Sequence, residues 1–120
     1  MESESLVRIG ELARRSGVSV RALRYYEDQG LLQSERSSSG QRYYPPRAAE
    51  TVRFLQDMYA AGLTSRNIAM LLPCLDTGHS TEEQRRMLHR ERDRIHDQVS
   101  RLRAALRRLE QIIELADRHG

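Results

Sequence analysis

Arginine supplies most of the chemistry in the first half of this chain. Arg21 and Arg24 stand three apart in a short helical pattern, and Arg36 and Arg42 flank a serine- and glycine-rich turn. A guanidinium is a rigid fork of donors that fits a phosphate or the acceptor edge of guanine, so two of them one helical turn apart can reach phosphates or base edges together. Between Arg8 and Arg53 nine arginines (8, 14, 15, 21, 24, 36, 42, 47, 53) face five acids (Glu11, Glu27, Asp28, Glu35, Glu50), a local excess of +4 in a chain whose formal charge is +3. All 20 basic residues are Arg, which codon bias in a GC-rich genome explains as readily as function does. No nucleophile–base set, Gly-rich phosphate loop or metal cluster is evident, so neither an enzyme nor a cofactor is expected.

The totals set the frame. The chain has 120 residues, 38% hydrophobic and 31% charged, with five Tyr, one Phe and no Trp. That allows one small domain with an extension, built on Leu, Ile, Val, Ala and Met. No apolar run approaches membrane-spanning length, and the start MESESLVRIG lacks a signal-peptide pattern, so a cytoplasmic protein without membrane contact is expected. One cysteine cannot make an internal disulfide.

The arginines need elements to position them. IGELARRSG reads as a short helix ended by Gly17. Ser19 is a good N-cap for a second helix from about Val20 to Gln29, stopped by Gly30, and its hydroxyl is also a candidate phosphate donor. Two short helices joined by a Gly-containing turn suit a DNA-reading helix-turn-helix, and equally an ordinary helical hairpin. Residues 33–44, QSERSSSGQRYY, read as a β-hairpin wing or a surface loop. Pro45-Pro46 opens a third helix to about Ala61, and Thr64 or Ser65 caps a fourth that Pro73 is expected to end. PCLDTGHS reads as a linker, and Ser80 with Glu83 or Thr81 with Gln84 offers a capping box for a last, long helix.

That last helix carries a stripe. Leu88, Ile95, Leu102, Leu109 and Ala116 recur every seventh residue, interleaved with Val99, Leu106 and Ile113. Polar residues fill most positions between them. Roughly four heptads of this kind form a coiled-coil seam, ~45 Å long at the helical rise. A helix so charged and so long needs a partner, which points to a homodimer.

The ordered motifs resemble the MerR family of bacterial transcription regulators. Residues 9–32, IGELARRSGVSVRALRYYEDQGLL, carry the family's GVS turn and LRYYE core. Gly40-Gln41-Arg42-Tyr43-Tyr44 follows its wing ending, Val52, Phe54 and Leu55 its third helix, and Gly62-Leu63-Thr64-Ser65 with Ile68, Leu71 and Leu72 its fourth. The resemblance covers residues 8–117 and departs at Gln41 (usually aromatic), Ala48 (usually an acidic cap) and Thr51 (often Arg).

It implies an all-α fold with a small β wing: a winged helix-turn-helix head over 8–72, a hinge over 73–80, and a dimerisation helix over 81–117 forming an antiparallel coiled coil. It implies a dimeric, sequence-specific transcriptional regulator on pseudo-palindromic promoter DNA. The site would lie between the −35 and −10 elements, where distortion of the spacer lets RNA polymerase engage both. Tyr25 is expected on the DNA backbone and Arg42 on a phosphate or in the minor groove. With Ser19, Arg21 and Arg24 they form the candidate DNA-binding set, to which Arg36 and Tyr44 are added; Tyr26 divides between core and interface.

Family members carry an effector element after the coiled coil, and the chain stops at Gly120 without a cysteine pair there. No metal-sensing loop of the usual kind is expected. Cys74 stays open as a single-cysteine redox or electrophile sensor or as an inert thiol. His79, His89 and His96 do not form a convincing metal set, since His89 and His96 are two turns apart. An effector-free architectural DNA binder and a protein-interaction adaptor are the alternatives.

Overall fold

The computed structural model describes residues 6–120 in two compact units, one ending at His79 and the other spanning Ser80–Gly120. The first unit runs α1 (Ile9–Ser16), α2 (Val20–Asp28), β1 (Glu35–Arg36), β2 (Arg42–Tyr43), α3 (Ala48–Ala60) and α4 (Ser65–Thr77); the second is one helix, α5 (Glu82–His119).

The helix-turn-helix is built by local rules. Gly17 takes φ +78°, a left-handed conformation that costs glycine nothing, and its N–H caps Ala13 C=O. The chain then turns through Val18 into Ser19, whose Oγ accepts the Ala22 N–H at 3.0 Å and starts α2. The core beneath holds Leu12, Leu23, Val52, Leu55 and Ile68, all without solvent exposure, closed by Leu31, Leu32, Leu63 and Leu71. Ser16 is buried but satisfied: its hydroxyl donates to Leu12 C=O at 2.7 Å.

The hairpin alternative for residues 33–44 is realised. β1 and β2 pair antiparallel with Glu35 opposite Tyr43 and Arg36 opposite Arg42. Ser37 N–H donates to Gln41 C=O and Gly40 N–H to Ser37 C=O, with Gly40 at φ +88°. A third segment joins this ribbon, since Val7 bridges Tyr44 with hydrogen bonds of 2.8 and 2.7 Å in the two directions.

Tyr44 is at the centre of that junction and corrects one expectation. It is a candidate DNA contact by sequence, yet it is fully buried, its ring packed in the core. Ala48, where a capping acid is usual, starts α3 without a side-chain cap; its N–H and that of Ala49 go to the carbonyls of Pro45 and Pro46 at 2.9 and 3.4 Å.

Pro73 does not end α4, a second correction. The helix continues through Cys74 to Thr77 and stops at Gly78, whose N–H donates to Cys74 C=O. A mid-helix proline removes one hydrogen bond, here to Ala69, and clashes with that carbonyl. Ala69 is exposed, so water can take up the orphaned acceptor. Thr77 then donates to Pro73 C=O at 2.9 Å and accepts the His79 N–H, tying off the end.

α5 starts on a capping box made by Thr81 and Gln84, with reciprocal bonds of 2.8 and 3.0 Å. Its 38 residues amount to ~57 Å of helix. Among the described residues no helix is long and apolar enough to cross a membrane.

Candidate nucleic-acid interface

The outer face of α2 presents Arg21, Arg24 and Tyr25 to solvent. Inward-facing Leu23 and Tyr26 anchor the helix, Leu23 with no exposure and Tyr26 with 8%. Tyr26 stacks on Tyr59 of α3, with ring centroids 5.8 Å apart and planes 12° apart, so its place is the core. Tyr25, half exposed, meets Tyr26 edge-on at 6.2 Å and Tyr59 at 6.5 Å, and this holds its ring at the surface. The Tyr59 hydroxyl is hydrogen-bonded to Ser65. Ser19 Oγ is spent as an acceptor at the cap but keeps its own proton to donate outward.

The wing brings Arg36 and Arg42 directly opposite each other, a like-charge pair that weakens a ribbon unless other groups offset it. Arg36 donates to Gly40 C=O at 2.9 Å across the turn. Arg42 lies 3.5 Å from the Glu27 carboxylate on α2. Glu27 also accepts from Ser34 Oγ and from the Tyr44 hydroxyl, each at 2.7 Å. One carboxylate thus ties the end of α2 to both sides of the wing.

Burial alone would raise the Glu27 carboxyl, but the hydrogen bonds from Ser34 and Tyr44 and the charges of Arg42 and Arg36 outweigh it and hold it below the ordinary range. Tyr44 moves the other way: burial first, then its bond to the Glu27 anion, push the phenol up to about 12 despite Arg42. Sequence reading missed Glu27 because an acid amid arginines reads as one more surface charge.

Arg14 and Arg15 are both paired with Glu11 on α1, which occupies their charge locally. Cys74, half-buried, lies within α4 rather than in a linker. No group of three or more metal-ligating side chains occurs among the described residues.

α5 is a separate matter. Of the stripe, Leu88, Val99, Leu102, Leu106, Leu109 and Ile113 are 39–63% exposed; Ile95 is half-buried and Ala116 exposed. Ile112 and Leu115 are also exposed, at 60% and 52%, outside the two heptad strings. The flanks carry ion pairs one turn apart, Arg94 with Glu91 at 2.7 Å, Arg86 with Glu82 at 3.5 Å and Arg101 with Asp97, as on a solvated helix face.

Comparison with known proteins adds an independent line. A family model described as MerR HTH family regulatory protein matches residues 7–75. The mercuric resistance operon regulatory protein of Bacillus cereus is 39% identical over 70 residues, 58% of this chain and 53% of that protein. The HTH-type transcriptional regulator HmrR of Rhizobium leguminosarum bv. viciae is 39% identical over 64 residues, 53% of this chain. The chain spans about half the length of these two relatives, 53% and 50%. A MerR family transcriptional regulator structure from Listeria monocytogenes superposes with TM-score 0.78 at 29% identity, covering 92% of this chain and 86% of that one. HiNmlR, a MerR family regulator lacking the sensor domain and solved bound to promoter DNA, shares the fold with TM-score 0.76 at 22% identity, covering 91% and 88%.

Proposed function

The chain belongs to the MerR family of helix-turn-helix regulatory proteins, and on that premise we propose that it regulates transcription as a homodimer on a pseudo-palindromic promoter duplex. α2 enters the major groove with Arg21, Arg24, Tyr25 and Ser19, and the wing lays Arg36 and Arg42 on the flanking backbone. The observation that carries this reading is the exposed face of α2 beside a wing whose two arginines oppose each other. Placing like charges there makes physical sense when an anion comes between them.

The exposed stripe of α5 supports pairing, because apolar side chains repeated every seven residues are costly in water and are covered by a second copy of the helix. An antiparallel pair of such helices sets the distance and twist between two heads. Bending or untwisting the intervening DNA costs a few kcal/mol, enough to act as a transcriptional switch on RNA polymerase. The role is non-catalytic and intracellular.

The test is fluorescence anisotropy on a duplex enriched by the wild-type chain from a random library. Arg24→Ala is expected to weaken binding by about 1–3 kcal/mol, roughly 5- to 150-fold. Equal affinity of wild type and R24A removes Arg24 from the interface.

A further inference from the structure

A cleft of about 510 Å³ opens where α1, α2 and the wing meet, lined by Arg8, Ile9, Arg24, Asp28, Gln41 and Arg42. Three arginines from three separate segments line one space with a single acid, Asp28, on its wall; Arg42 is also 3.5 Å from Glu27 behind it. Arg8 comes from outside the helix-turn-helix pattern. The Val7–Tyr44 bridge fixes the backbone beside it, and its guanidinium lies 5.9 Å from the Tyr43 ring centroid, a cation–π distance that holds it against the wing. Among the described residues no carboxylate pairs with Arg8 or Arg24.

Arg8 is also the N-cap residue of α1, and its side chain makes no capping bond. Among the described residues no side chain accepts from the N–H groups of the first turn, which begins at Ile9 on the cleft wall. They add the positive end of a helix dipole to the same space. Clustered cations, the first-turn N–H donors and a concave shape together call for a compact, multiply charged oxyanion.

We propose that this cleft is a phosphate seat, with Arg8 as a phosphate-binding residue that completes a clamp with Arg24 and Arg42. In the DNA complex the occupant is a backbone phosphate held between α2 and the wing. That identity rests on the DNA-binding reading above; the anion chemistry does not.

The experiment compares wild type, Arg8→Gln and Arg8→Lys on the enriched duplex across salt. Each lost phosphate contact lowers the slope of log K against log salt by about 0.9. With two heads R8Q is expected to lower it by about 1.8, so its deficit shrinks roughly tenfold between 50 and 200 mM salt. R8K, which keeps the charge, restores the slope. A slope common to R8Q and wild type overturns the proposal. In parallel, inorganic phosphate is titrated into wild type while the arginine side-chain N–H signals are followed by NMR, which requires no variant to fold. If wild type binds no duplex, the DNA reading fails. Shifts at Arg8, Arg24 and Arg42 then support a seat for free phosphate, and their absence overturns it.

Discussion

The Tyr44 hydroxyl donates a 2.7 Å hydrogen bond to Oε1 of Glu27, joining the residue after β2 to the last turn of α2. Ser34 donates to the other carboxylate oxygen from the opposite side of the wing. α2 and the wing are thereby referenced to one acid, so the angle between them depends on the Glu27 side chain.

Tyr44→Phe leaves the ring in the core and takes one donor from Glu27. The expected loss is about 1–3 kcal/mol of unfolding free energy, measured by urea denaturation. Glu27→Gln is expected to lower stability and also duplex affinity, because Arg42 loses its 3.5 Å anchor. Unaltered duplex affinity in E27Q would show that wing orientation does not depend on this acid.

The two shifted groups give opposite pH signatures. Glu27 is depressed below the ordinary carboxyl value of 4.5, so its stabilisation is present above that pH and is lost as pH falls through the lower folded value. Tyr44 is raised from 10.0 to about 12, so its contribution is complete below pH 10 and is lost as pH climbs from 10 toward 12. Tyr26 is raised too, by burial and then by Tyr59. Thermal melts between pH 9 and 12 are expected to fall less steeply in Y44F than in wild type, without becoming flat. Identical alkaline profiles would contradict the shift at Tyr44.

Much of this was legible in the sequence because it is local. Gly17, Ser19, Thr64 and the Thr81–Gln84 pair act on neighbours within four residues, and the structure places each as a cap or stop. What was not legible depends on contacts between distant residues. Tyr44 reads as the aromatic that ends the wing and a candidate DNA contact, and only its packing and its bond to Glu27, 17 residues away, show it to be core. Pro73 reads as a stop because propensity counts the lost hydrogen bond and not the exposed carbonyl of Ala69 that water can satisfy. Arg8 lies outside the helix-turn-helix pattern and becomes visible only once Val7 bridges Tyr44.

Pro73 still carries a cost. Pro73→Ala restores one N–H within α4 and is expected to raise stability by about 1–3 kcal/mol, slightly offset by the looser unfolded chain. Calorimetry checks this, and a lower melting temperature in P73A would mean that the ring itself contributes packing.

The α5 seam predicts a change of mass. Leu102 and Leu109, 63% and 54% exposed in the single chain, become buried when two helices pair. The double replacement L102D/L109D is expected to yield monomers in analytical ultracentrifugation at micromolar concentration, with α1–α4 still folded. A dimeric variant would place the pairing surface elsewhere.

The central claim is that two heads, spaced by paired α5 helices, read one duplex together. Selection from a random double-stranded library followed by binding to spacing variants tests it most directly. The account predicts an enriched inverted repeat bound by two chains, with affinity lost when half a helical turn, about 5 bp, is inserted between half-sites and partly regained at a full turn. Enrichment of no inverted repeat, or affinity indifferent to spacing, would contradict it.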